Sequence, residues 1–116
     1  MKKEERTYKM YLDDILLAMD RIAEYINGLD FLKFKQDYKT VDAVIRNFEV
    51  IGEAAKNLPV TFKDKYNTIP WEEMYYLRNK ISHEYFGIDY EIIWDIAINY
   101  QPDNRWQIEE IKLKEN

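Results

Sequence analysis

The chain has 116 residues, of which 47% are hydrophobic and none is cysteine, and its formal net charge is −5. That length can bury a core as one domain, 1–116, without staples, and the missing cysteine removes disulfides, thiolate metal sites and cysteine nucleophiles together. The acidic balance argues against broad nonspecific binding to nucleic acid, which relies on neutralising phosphates.

The opening MKKEERTYKMYLDDILLAMD starts basic but soon meets Glu4, Glu5, Asp13 and Asp14. Its apolar run ILLAM is too short for a signal-peptide core, and no segment reaches the length of a membrane span. A soluble cytoplasmic protein is expected. Tyr8, Leu12, Ile15, Met19, Ile22 and Ile26 recur in steps of four and three, the spacing of one apolar stripe on a long helix. The Asn27-Gly28 pair ends it. FLKFKQD, 31–37, reads as a short helical turn or two. Thr40 is placed to cap a second long helix, with the stripe Val41, Val44, Phe48, Ile51, Ala55 and Leu58 and a stop at Pro59. Gly52 lies inside this helix, where glycine costs ~1 kcal/mol against alanine; a close helix–helix approach would justify it.

Residues 59–69 read as a connector, and Pro70 suits the first turn of a helix. Trp71, Met74, Leu77 or Arg78, Ile81 and Tyr85 follow at helical spacing. Gly87 is expected to end that helix and Asp89 to cap the next, whose stripe is Ile92, Ile93, Ile96, Ala97 and Tyr100. Pro102 should break or kink it before a charged tail. No stretch alternates cleanly enough to demand a strand. The fold expected is all-α, an up-down bundle of four to five helices.

The chemistry narrows by exclusion. His83-Glu84 begins like a zinc motif, but position 87 is Gly, and one histidine cannot furnish the Glu-x-x-His pairs of a di-iron bundle. The carboxylates at 13, 14 and 20 read as a solvated face, so no metal site and no cofactor is expected. RNKISHEY, 78–85, remains, with the sole histidine of the chain. Arginine grips phosphate through a planar fork that stays charged, and histidine moves protons near pH 7. Arg78 and His83 on one helix stand roughly 140° and about 7.5 Å apart, flanking a groove without stacking, whereas Asn79 and His83 share a face. Transphosphorylation of RNA needs a base and an acid, and a two-fold dimer would supply two of each group around one cleft. On residue types alone a plainer reading stands beside this one: Arg78 as a salt-bridge residue to Glu53 or Glu84, His83 as a surface polar group, Tyr85 as half-core.

RNKISHEY fits R-N-x3-H-x-Y and resembles the HEPN superfamily of helical nucleic-acid-processing domains. With TVDAVIRNFEVIGEAAKNLP (40–59), IPWEEMYYLRNKISHEYFGIDYEIIWDIA (69–97) and YLDDILLAMDRIAEYI (11–26), the chain from about Tyr8 to Ala97 is similar to the HepT family, toxins of HepT/minimal-nucleotidyltransferase pairs in bacteria and archaea. The resemblance implies a dimer, or a higher even oligomer, that cuts tRNA or mRNA without metal between two facing R-x4-6-H motifs. Arg78 and His83 match the catalytic positions, and Asn79 matches the polar residue that commonly follows the arginine. Tyr85 matches the tyrosine that accepts AMP from ATP through the cognate nucleotidyltransferase antitoxin. A non-catalytic nucleotide-, RNA- or partner-binding subunit is the alternative function. The stretch after Tyr100 is less like the family.

Overall fold

Why each helix lies where it does follows from how many of its sides are apolar. The computed structural model describes residues 7–84 and 87–115. The described residues form α1 (Tyr8–Ile26), α2 (Phe31–Gln36), α3 (Tyr38–Asn57), α4 (Val60–Lys65), α5 (Trp71–His83), α6 (Tyr90–Asp95), a π-helical turn over Ile96–Tyr100, and α7 (Gln101–Lys114), with no strand among them. The all-α expectation therefore holds.

The anticipated α3 stripe, Val41, Val44, Phe48, Ile51, Ala55 and Leu58, is wholly buried, and so are Ile45, Asn47, Gly52 and Ala54. A helix covered on two sides sits in the middle, and α3 packs against both α1 and α5. On α1 the residues Leu12, Ile15, Met19, Ile22 and Ile26 are buried as expected, while Tyr8 is half-buried and stacks on Phe62 with ring centroids 4.8 Å apart. Gly28 takes a left-handed φ of 81°, which stops α1 at low steric cost.

Several boundaries differ from the sequence reading. Asp37, and not Thr40, caps α3: its Oδ1 accepts the Thr40 backbone N–H at 3.2 Å and its Oδ2 accepts the Thr40 hydroxyl at 2.7 Å. Those bonds hold the Asp37 carboxyl below its ordinary value. The 59–69 connector contains α4, which buries only Phe62 and so leaves no periodic signature. Pro70 occupies the cap position before α5, not its first turn, and α5 ends at His83, ahead of Gly87. Of the next stripe, Ile93 on α6 and Ala97 in the π turn are buried, but Ile92 on α6 and Tyr100 at the end of the turn face outward.

The largest correction concerns Pro102. The helix neither breaks nor trails off. The π turn lets the Gln101 N–H reach the Ile96 carbonyl five residues back, and Pro102 then falls in the first turn of α7, where its missing N–H needs no partner. Beyond it, α7 lies along α1, burying Ile108 and Ile111 and pairing Arg105 with Asp20 and Lys112 with Asp13 at 2.5 and 2.6 Å. Hydrogen bonds from Arg105 to Asp20 push its guanidinium further toward the charged state. No described helix is long and apolar enough to cross a membrane.

Candidate functional site

α5 carries Arg78, Asn79 and His83, and its seat on α3 explains Gly52. A Cβ placed on Gly52 would overlap the Arg78 Cβ, approach its Cγ to 3.1 Å and lie 2.7 Å from the Met74 carbonyl oxygen. The close approach that the sequence suggested is therefore real, and it is made at Arg78. With no side chain beneath it, the Arg78 stem lies directly on α3.

From there the guanidinium meets the next α3 residue. Arg78 Nη2 stands 3.1 Å from Glu53 Oε1, an ion pair and not an aligned hydrogen bond. Glu53 Oε2 in turn accepts from Asn57 Nδ2 at 3.4 Å. Arg78 Nη1 donates to Asn79 Oδ1 at 3.2 Å. The Asn79 amide also carries N–H donors, and Tyr75 stands one helical turn before it on α5. Donation from Asn79 first, and then the charge of Lys56, lower the Tyr75 phenol's pKa; the Lys56 ammonium lies 5.4 Å from the Tyr75 ring centroid. Asn57, Glu53, Arg78, Asn79, Tyr75 and Lys56 thus form one polar chain across the α3–α5 seam. The anticipated salt bridge of Arg78 to Glu53 is present, while Glu84 pairs with Lys80 instead, at 3.2 Å.

His83 is exposed in the last turn of α5. Tyr85 lies outside the described residues. An open cavity of about 360 Å³ borders Arg78, lined among others by Asp14, Arg46, Glu49 and Glu53. Three carboxylates against two guanidiniums make it a poor seat for an anion. Among the described residues no three His, Asp or Glu side chains gather as metal ligands.

Comparison with known proteins places the chain in a family. The model of the ribonuclease HepT-like family matches residues 15–111. The chain belongs to the HepT-like ribonuclease family. A candidate RNase of Methanocaldococcus jannaschii is 50% identical over 107 residues, covering 92% of this chain and 88% of its own. A candidate ribonuclease HepT of Thermococcus cleftensis is 40% identical over 108 residues, covering 93% and 98%, and a candidate RNase of Caldanaerobacter subterraneus is 39% identical over 110 residues, covering 95% and 98%. No solved structure matches the chain.

The match runs through most of α7, so this HepT-like chain resembles its family beyond Ala97, where the sequence motifs stop. The motif reading also passed over Lys56 and Tyr75. Both were within reach: Tyr75 is four residues before Asn79 on α5, and Lys56 is four residues after Gly52, on the α3 face that meets α5.

Proposed function

We propose that this HepT-like ribonuclease is the toxin of a toxin–antitoxin pair and cuts RNA without a metal ion, using Arg78 and His83 from each of two copies in a two-fold dimer. In this reading neutral His83 of one copy takes the proton of the ribose 2′-hydroxyl. The 2′-oxygen bonds to phosphorus, the bond to the 5′-oxygen breaks, and protonated His83 of the other copy gives that oxygen its proton. The products are a 2′,3′-cyclic phosphate and a 5′-hydroxyl. Arg78 faces the charge that builds on the phosphoryl oxygens. Asn79 fixes the guanidinium plane.

The observation that carries this reading is the state of Arg78. It is held by Glu53 and Asn79 yet its side chain remains one-third exposed. An ion pair this open to solvent is worth about 0–1 kcal/mol. A phosphodiester, which accepts two parallel bonds from the same fork, displaces it at little cost.

The same reading makes Tyr85 the AMP acceptor. Its phenol oxygen attacks the α-phosphorus of ATP on the antitoxin and pyrophosphate leaves. The new phosphate, two residues from His83, competes with RNA for Arg78 by charge and volume. In this reading residues 1–116 are one domain, two copies of which form the cleft. The second reading, a non-catalytic partner- or RNA-binding subunit, draws on the Arg78–Glu53 pair, which a purely structural arginine would also make.

One experiment separates them. Purified chain is incubated with total tRNA in EDTA, beside Arg78→Ala, His83→Ala and Tyr85→Phe. Cleavage that survives EDTA, disappears in the first two variants and persists in the third supports the nuclease. Absence of cleavage by wild-type protein whose intact mass shows no modification sinks it. Adenylylation of Tyr85→Phe by the antitoxin would refute the acceptor assignment.

A further inference from the structure

The chemistry of the nuclease reading occupies Arg78 and His83 but leaves Lys56 and Tyr75 unused. Relative to Tyr75, helical geometry puts Arg78 about 60° to one side, and Asn79 and His83 about 40° and 80° to the other. Tyr75 therefore lies in the same sector of α5 as the two reactive groups, between them in azimuth and one turn below Arg78. The Lys56 ammonium lies 5.4 Å from the Tyr75 ring centroid, and Asn79, one turn along α5, is joined through its Oδ1 to the Arg78 guanidinium at 3.2 Å; the Asn79 amide and the Lys56 charge both favour the charged form of the phenol. Lys56 is exposed and Tyr75 half-exposed. Glu53 is the opposing charge nearby, and it is already engaged by Arg78 and Asn57. An exposed ammonium beside a half-exposed phenol and an amide donor, in a protein of net charge −5, is an arrangement an anionic oxygen would complete.

We propose that Lys56, Tyr75 and Asn79 form a second phosphate subsite, which holds the RNA backbone one phosphate away from the bond that Arg78 and His83 break. The subsite rests on the nuclease reading for its ligand. Lys56 supplies the charge, the Tyr75 hydroxyl and the Asn79 amide supply directed hydrogen bonds, and the network through Asn79 ties the position of this phosphate to the plane of Arg78.

The test measures RNA binding separately from cutting. A fluorescent single-stranded RNA is titrated by anisotropy against the full chain carrying His83→Ala, over a range of salt, alone and combined with Lys56→Ala, Lys56→Arg or Tyr75→Phe. Loss of one phosphate contact lowers the slope of log K against log salt by about 0.7. Lys56→Ala should show that decrease and Lys56→Arg should restore it. Tyr75→Phe should keep the slope and weaken binding about two- to tenfold, the range of one neutral hydrogen bond. An unchanged slope in Lys56→Ala, with the His83→Ala parent binding RNA, overturns the subsite and leaves the nuclease reading intact. A parent that binds no RNA overturns both. A Lys56-dependent gain in affinity for free AMP but none for RNA overturns the assignment to the RNA backbone.

Discussion

Gly52→Ala is the substitution that tests most directly how α3 and α5 set the position of Arg78. Two effects oppose one another. Alanine in mid-helix gains about 1 kcal/mol of propensity over glycine. Against this, the new methyl meets the Arg78 Cβ and a backbone carbonyl at 2.7 Å, and a carbonyl inside a hydrogen-bonded helix cannot rotate away. Overpacking of this kind costs typically 1–3 kcal/mol and more where backbone must move, so the clash wins and the net loss is about 1–2 kcal/mol. Relief requires α5 to lift from α3. That carries the Arg78 guanidinium off Glu53, so cleavage should fall more than the folded fraction does. Urea unfolding followed by far-ultraviolet dichroism gives the stability, with a lower midpoint and an unchanged slope. Gly87→Ala is the control: a Cβ there meets nothing within 4 Å, and its stability should stay within about 0.5 kcal/mol of wild type. Gly52→Ala as stable as wild type, and as active, would refute the account of the seam.

Two further predictions address the caps and the last helix. Asp37 has its pKa depressed below 3.8 by the Thr40 bonds, so its contribution to stability is complete above that value and is lost as pH falls through the depressed one; Asp37→Asn, which still caps, should lose less stability than wild type between pH 5 and pH 2 in urea titrations. Ile108 is fully buried where α7 meets α1, and Ile108→Ala should cost about 2–5 kcal/mol; a loss below 1 kcal/mol by the same assay would mean that α7 docks on α1 through its surface ion pairs alone.

The long helices were legible because each exposes one side and buries another. The stripes on α1 and α3 survive residue by residue, from Leu12 to Ile26 and from Val41 to Leu58. What escaped has a shared cause. α4 is too short to repeat, so Phe62 stood alone, and Asp37 looked like the end of one segment when its carboxylate opens the next. Pro102 was legible as an interruption, but its remedy was not, because a π turn has no side-chain signature and depends on the Ile96 carbonyl being reached from Gln101. At the site, the types and spacing of Arg78, Asn79 and His83 could be read, and Gly52 signalled a close approach. That the approach falls on Arg78 depends on which turn of α5 crosses which turn of α3, and no one-dimensional pattern carries that crossing.

The net charge of −5 set the sequence against an RNA substrate, but what a bound phosphate meets is the local arrangement of charge. At physiological ionic strength charges beyond about 8 Å are largely screened, so a phosphate at Arg78 responds to its neighbours and not to the total. Five of the 22 carboxylates are matched where they stand: Asp13 by Lys112, Asp20 and Glu109 by Arg105, Glu84 by Lys80, Glu115 by Lys65. Four of those five carboxylates are tied to cations of α7 or lie on α7 and the residue after it, along α1 and α4 and away from the α3–α5 seam. At the seam Lys56 and Arg78 stand with Glu53 beside Tyr75 and Asn79, while Asp14 and Glu49 join Glu53 in the cavity that also borders Arg78. Glu53 holds the guanidinium in one place through an ion pair that is partly open to solvent and so weak enough to exchange.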